Sequence, residues 1–310
     1  MLKYTLNRFM WAIITLWATI TLTFVIMHSI PGDPFAREGV LTPAVYENLM
    51  RYYNMEGTKL EQYFHYLKSV LQFDLGPSLK SKTITVNEYI EKGLPVSFHL
   101  GLQSMVIAVC FGLILGVIAA LYRNRWPDYI SMIIAIIGIS VPSFILATLF
   151  INYLAVEWRI FPVATWKTWK HTVLPSMALA MMPLAYIARL MRTSMIEVMN
   201  QDYILTAKSK GLKKSAIIIK HAIRNAILPV VTMLGILTAN LVTGSFIVES
   251  IFGIPGMGEM FVKSILNRDY PVILGSTIVY SAILIFLIFI VDVLYTLIDP
   301  RIKLSGGRGK

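Results

Sequence analysis

The sequence predicts an all-α membrane protein of six transmembrane helices with an outer loop subdomain, and three observations predict it. Of the 310 residues, 56% are hydrophobic and only 15% charged, against about 25% charge in an average soluble domain. The mean hydropathy is +0.66. The apolar residues gather in stretches too long and too evenly spread for one aqueous core, and these stretches lack the polar alternation of barrel strands. Disorder, a disulfide scaffold and a cytosolic enzyme are excluded on the same grounds. The single cysteine, Cys110, lies in an apolar run and makes neither an internal disulfide nor a cysteine-based metal cluster.

A helix rising ~1.5 Å per residue needs about 20 apolar residues to cross ~30 Å of hydrocarbon. Six stretches are read as spans: 9–30, 98–121, 130–156, 172–188, 227–248 and 272–298. Because lipid cannot satisfy an open backbone, each is expected to be helical. Lys3 and Arg8 precede the first span, yet its apolar run exceeds that of a signal peptide and no small-x-small cleavage site follows, so a retained anchor is expected. In the third, Pro142 removes a backbone donor and should open a kink beside Ser140 and Ser143. The fourth is short and broken by Pro175 and Pro183; Arg189 and Arg192 are expected to lengthen it by snorkelling to the headgroups. The organisation that follows is an anchor (1–30), an outer loop subdomain (31–97), a core of five helices (98–298) containing a cytoplasmic loop (197–229), and a tail (299–310).

Orientation follows from the basic residues. Segments 1–8, 122–129, 189–226 and 299–310 hold 16 Lys and Arg against 4 acidic residues, whereas 31–97, 157–171 and 249–271 hold 12 of each. By the positive-inside rule both termini are expected in the cytoplasm. The net charge of +11 then faces anionic lipid, and nucleic acid is not needed to explain it.

The outer loop opens with Pro31-Gly32-Asp33-Pro34, which stops the first span. Thr42-Pro43 reads as an N-cap and first helical residue, with Val45, Leu49, Tyr52 and Tyr53 on one face. Leu60, Tyr63, Phe64, Leu67 and Leu71 recur at helical spacing before the turn Asp74-Leu75-Gly76-Pro77. A small folded cap or interfacial helix pair is expected, its aromatic residues packed on the membrane surface.

Enzyme chemistry is missing. Gly211-Leu212-Lys213-Lys214-Ser215 has the wrong spacing for a phosphate loop, and Gly253-Ile254-Pro255-Gly256-Met257-Gly258 reads as a tight outer turn rather than a dinucleotide site. The five histidines form no ligand pair, and no serine sits in a nucleophile elbow. Asp292 is the sole acidic residue within the spans, where an ion-coupled carrier usually places several; near the inner end of the last span it is expected to anchor structure. Thr232, Asn240 and Thr243 recur on one face of the fifth span, and with Ser140, Pro142 and Ser143 of the third they are the candidates for a polar path; helix packing explains such a face equally well.

Between the fourth and fifth spans, Asp202 suits a helix N-cap, Lys208 and Lys210 a last turn, and Gly211 the left-handed C′ position that reverses the chain. A second helix, with Ile217, Ile218, Ala222, Ile223 and Ile227 on its apolar side, runs on to Pro229. Asp202-Tyr203 through Thr206-Ala207-Lys208 to Lys210-Gly211, with His221 to Pro229, Gly244 to Gly256, Asn267-Arg268-Asp269-Tyr270 and Asp299-Pro300-Arg301, resembles the membrane subunits of bacterial binding-protein-dependent ABC importers. The likeness is greatest to the first permease of the oligopeptide systems and covers nearly the whole chain. Leu205 and Thr206 stand where the general importer motif has Glu and Ala, and the spacing from Gly211 to Leu228-Pro229 is longer than in that motif. Both departures resemble the peptide and nickel branch.

The resemblance implies a type I importer permease of MetI-like fold, forming half of a path for oligopeptides in the bacterial inner membrane. It implies a second homologous permease, two cytoplasmic ATP-binding subunits that hold the ATP and Mg, and an extracytoplasmic peptide-binding protein; this chain itself binds no cofactor and hydrolyses nothing. It also implies ATPase coupling through Asp202, Tyr203, Thr206, Ala207, Lys208, Lys210 and Gly211, with Ala207 in the contact face and Pro229 structural. Import of dipeptides or nickel chelates, and an ion-coupled secondary transporter, are the alternatives.

Overall fold

The computed structural model describes residues 2–29, 43–52, 56–81, 84–243 and 245–298. Every named element there is a helix: α1 (Leu2–Ser29), α2 (Pro43–Tyr52), α3 (Lys59–Leu71), α4 (Val86–Leu121), α5 (Trp126–Ser140), α6 (Ser143–Glu157), α7 (Trp169–Met199), α8 (Asp202–Ser209), α9 (Lys214–Ala226), α10 (Leu228–Thr243), α11 (Phe246–Phe252), α12 (Met257–Asn267) and α13 (Tyr270–Ile298). Four of them (α1, α4, α7, α13) are long and apolar enough to cross a membrane singly. The pairs α5–α6, bent by 110°, and α9–α10, bent by 50°, bring the spans to six if each pair counts as one.

Two expectations about the spans change. Pro175 and Pro183 do not break the fourth: α7 runs unbroken for 31 residues with both prolines buried inside it, and the packing around the helix holds it together where two donors are missing. At Pro142 the kink is a full break, Val141 taking an extended conformation and Pro142 becoming the N-cap of α6. Ile151–Glu157 and Ile217–Ile223 are wound as π-helix at the ends of α6 and inside α9.

The chain forms two compact units. One comprises residues 1–96 and 255–310, in which α1 packs along α13 with Phe9 edge-on to Phe289 at 6.0 Å. Its outer loop is fastened by named contacts. Thr58 and Glu61 cap α3 reciprocally, Glu61 accepting from the Thr58 backbone at 2.8 Å, which holds the Glu61 carboxyl below its ordinary range. Tyr63 shares a 2.6 Å hydrogen bond with Thr21 of α1. Asp269, 4% exposed, accepts from the Ser78 hydroxyl at 2.5 Å and the Leu79 backbone at 3.1 Å. Met27, Leu79, Tyr270, Ile273 and Leu274 form a buried cluster, with Tyr46, Leu49 and Met50 of α2 packed against it. The cap therefore packs on the ends of α1 and α13; the expected aromatic face is only partly used this way, since Leu60, Phe64 and Leu71 stay exposed. Thr42 and Tyr53, and the side chain of Val45, lie outside the described residues.

The other unit, residues 97–254, is built round α7, which packs on α5, α6, α10 and α11. Between helices in lipid, packing depends on close fit rather than on escape from water, and Gly112 and Gly116 of α4 supply it. Four residues apart, they share one face of the helix. A Cβ on Gly112 would stand 2.8 Å from Ile187, and one on Gly116 2.6 Å from Met191. Ile187, Met191 and Met195 of α7 continue into Ile204 and Ala207 of α8, Ile217, Ala222 and Ala226 of α9 and Val230 of α10 as one buried cluster.

Candidate functional site

Helix α8 follows α7 after two residues. Gln201, in an extended conformation, is its N-cap, and the Gln201 carbonyl accepts from Ile204 and Leu205. Asp202 is therefore the first helical residue rather than the cap; Asn200 closes α7, and Gln201 is the one position left to start the next helix. The Asp202 carboxylate still lies at the positive end of the helix. At the other end Lys210 is the C-cap and Gly211 has φ 73°. Leu212 N–H donates to Ala207 and Gly211 N–H to Lys208, the paired bonds of a Schellman turn.

The faces of α8 are sharply divided. Ile204 is fully buried and Ala207 is 6% exposed, both within the cluster that includes Ile217 and Ala222. Ala207 is thus no part of an outward contact face, because the i, i+3 pair of Ile204 and Ala207 is the side by which α8 holds on to its own chain. Asp202, Tyr203, Thr206, Lys208, Lys210 and Gly211 are exposed. So are Leu205 at 54% and Leu212 at 43%, two apolar residues absent from the coupling residues that the resemblance implies; their displacement from the Ile204–Ala207 stripe is the signal that would have found them. The residues expected on the apolar side of α9 do face inward, Ile217 and Ala222 buried and Ile218, Ile223 and, just past the helix end, Ile227 packed against them. Pro229, exposed, lies in the first turn of α10, where a missing N–H costs little.

The candidate path residues fall into two groups. Ser140, Pro142 and Ser143 stand at the α5–α6 break. Thr232 and Asn240 are on α10, where the Thr232 hydroxyl donates to the Leu228 carbonyl at 2.6 Å and Asn240 is exposed. The side chains of Thr243 and Asp292 lie outside the described residues, although both positions are helical. Beside α10 is a cavity of about 310 Å³ lined by Tyr186, Arg189 and Thr193 of α7 and by Val230, Met233 and Leu237 of α10. Arg189 borders this cavity, and the Arg192 guanidinium makes two bonds to Asp128 at the start of α5. Sequence reading missed Asp128, which is 2% exposed; its place three residues after Arg125 and next to Pro127 marks a helix start and gives no hint of a partner 64 residues away.

Four apolar helices and two bent helix pairs of membrane-spanning length, with α7 leading after two residues into a short helix that has one buried and one exposed face, mark a multi-pass membrane protein. The chain belongs to the family described as binding-protein-dependent transport system inner membrane component, whose profile matches residues 112–304. It is a transporter subunit and not an enzyme; the ATPase resides in partner subunits. The chain is 54% identical over 304 residues to the dipeptide transport system permease protein DppB of Bacillus subtilis, covering 98% of this chain and 99% of that one. To the oligopeptide transport system permease protein OppB of Salmonella typhimurium it is 42% identical over 305 residues, covering 98% of this chain and all of that one. Among solved structures, a chain of an amino acid ABC transporter determined with histidines matches with a TM-score of 0.52 at 18% identity, covering 76% of this chain and 98% of that one. That match carries the shared MetI-like permease fold and nothing finer.

Proposed function

We propose that this chain forms half of the path by which a bacterial inner-membrane importer takes up short peptides, with both termini in the cytoplasm. The observation that carries the reading is similarity along the full length to both dipeptide and oligopeptide permeases; the 54% identity to the DppB of Bacillus subtilis makes dipeptides the first substrates to test. The complete importer holds a second homologous permease, two ATP-binding subunits with their ATP and Mg, and an extracytoplasmic peptide-binding protein. Tyr203, Leu205, Thr206, Lys208 and Lys210 on the exposed side of α8 form the ATPase contact, while Ile204 and Ala207 pass its movement to α7, α9 and α10 through their shared core. The path runs beside α10, past the cavity that Tyr186, Arg189 and Thr193 line.

The test is reconstitution of this chain with the permease, ATPases and binding protein that co-purify with it, followed by uptake of labelled dialanine, tetraalanine and a nickel chelate into vesicles. ATP-dependent peptide uptake is the expected result. Nickel uptake in place of peptide uptake overturns the substrate class, and uptake by this chain alone under an ion gradient overturns the importer reading.

A further inference from the structure

Helix α3 is tied to the last turns of α1. Lys59 donates to the His28 carbonyl at 3.3 Å, the Tyr63 hydroxyl shares a 2.6 Å hydrogen bond with Thr21, and the rings of Tyr63 and Tyr66 lie 5.3 and 5.8 Å from that of Phe24. Thr21 and Phe24 stand eight and five residues before Ser29, where α1 ends. At ~1.5 Å per residue these contacts lie roughly 12 and 8 Å short of that end. Thr5–Ser29 of α1 is long and apolar enough to cross a membrane, and at the same level it leaves Leu22, Val25 and Ile26 more than half exposed. The middle of α3 therefore sits beside the apolar part of a span, not beyond its end.

Three stripes run along α3. Tyr63 and Tyr66 make the contacts with α1, and Val70 continues their side of the helix. Leu60, Phe64, Leu67 and Leu71, at i, i+4, i+7 and i+11, form a second stripe beside the first. Leu60 is 65%, Phe64 60% and Leu71 80% exposed, and only Leu67 is partly covered. Glu61, His65, Lys68 and Gln72, each one residue further on, form a third stripe that is exposed and polar. Just past the helix Phe73 takes φ 57°, the left-handed C′ position usually given to glycine, and its ring is 85% exposed. The apolar stripe thus runs the length of the helix and no described part of the chain covers it. Its depth names what does. Around a span, roughly 8–12 Å short of its end, the surroundings are acyl chain and headgroup boundary. Helices that lie in a membrane interface have this division of faces and bury the apolar one about 5–10 Å into that boundary.

We propose that α3 lies in the outer leaflet of the bilayer, with Leu60, Phe64, Leu67 and Leu71 seated among the lipid acyl chains and Glu61, His65, Lys68 and Gln72 at the level of the headgroups and water. The outer loop subdomain is then anchored in lipid as well as on α1 and α13. The choice of leaflet rests on the orientation proposed above; the depth rests on the contacts with α1 alone. The full-length protein, with Cys110 replaced by serine, carries one spin label at a time at Phe64→Cys, Leu71→Cys, His65→Cys or Gln72→Cys in vesicles of phosphatidylethanolamine and phosphatidylglycerol. Oxygen gathers in hydrocarbon and chromium oxalate stays in water, so the ratio of their collision rates with the label reads its depth. That ratio is expected to be at least tenfold higher at 64 and 71 than at 65 and 72. Equal ratios at the four positions would place the stripe in water, and shielding of 64 and 71 from both reagents would place it against protein, a second copy of the chain included; either result overturns the proposal. Sidedness is read on intact cells with an impermeant maleimide, which should react with His65→Cys and at least tenfold more slowly with Phe64→Cys. Reaction at His65→Cys only after permeabilisation overturns the outer placement. None of these readings depends on uptake, so a failure of the peptide-import function and a failure of the lipid contact are told apart.

Discussion

The carboxylate of Asp128 and the guanidinium of Arg192 meet in two parallel hydrogen bonds of 2.6 and 2.7 Å, joining the start of α5 to α7. Asp128 also caps the preceding turn, accepting from Asn124 N–H at 2.9 Å. Asp128 is almost wholly buried, whereas Arg192 keeps a quarter of its side chain exposed. Removing the arginine leaves an uncompensated buried charge, which costs more than the pair itself contributes.

Arg192→Ala is therefore expected to destabilise the solubilised protein by about 3 kcal/mol, the lower end of the range for breaking a buried pair. Arg192→Lys should recover only part of this, since an ammonium cannot reproduce the two-pronged contact. Thermal denaturation in detergent reads both. A melting temperature unchanged in Arg192→Ala would show that the pair does not fasten α5 to α7.

Gly211 carries a different kind of constraint. With φ 73° and no atom of the described residues within 4 Å of an added Cβ, a substitution there is penalised by backbone conformation and not by collision. Gly211→Ala should cost about 1 kcal/mol and Gly211→Val more, too little to unfold the spans. The expected outcome is normal insertion and pairing with the second permease, weakened ATPase recovery, and uptake reduced in Ala and abolished in Val. Co-purification of the ATPases beside uptake checks it; full uptake in Gly211→Val would remove the turn from the coupling route.

The periodicities legible in the sequence were those set by local rules. Gly211 at C′, the turn at Asp74 to Pro77 and the inward face of α9 all depend on neighbours within one or two helical turns. What the sequence hid depends on contacts distant in the chain. Asp128 reveals its role only with Arg192 in place, Asp269 only with Ser78, and the prolines of α7 break nothing because α4, α5 and α6 pack against it. Ala207 misled for a related reason: a small residue in a motif reads as a place for a partner to approach, and in this fold the approaching partner is the chain's own α9.

Topology is the next test, motivated by the excess of 16 basic over 4 acidic residues in the segments placed inside. With Cys110 replaced by serine, a cysteine at Asn54 is expected to react with an impermeant maleimide on intact cells. One at Gly307 should react only after permeabilisation. The opposite pattern would reverse the orientation, and with it the side from which α8 is reached.

The two faces of α8 make the sharpest comparison. Leu205→Asp places a carboxylate on an exposed position, so the chain should fold and melt as the wild type while losing the apolar anchor that a helix docked in a groove depends on; ATPase co-purification and uptake are both expected to fall at least tenfold. Ala207→Asp buries an unpaired carboxylate among Ile204, Ile217 and Ala222, at a cost of several kcal/mol, so here the chain itself should melt lower, with assembly failing as a consequence. Melting in the absence of any partner separates the two mechanisms. If Leu205→Asp retained normal ATPase recovery and uptake, the exposed side of α8 would not be the contact. If Ala207→Asp melted as the wild type while losing the ATPases, Ala207 would face the partner after all, and the division of α8 into an inner and an outer side would be wrong.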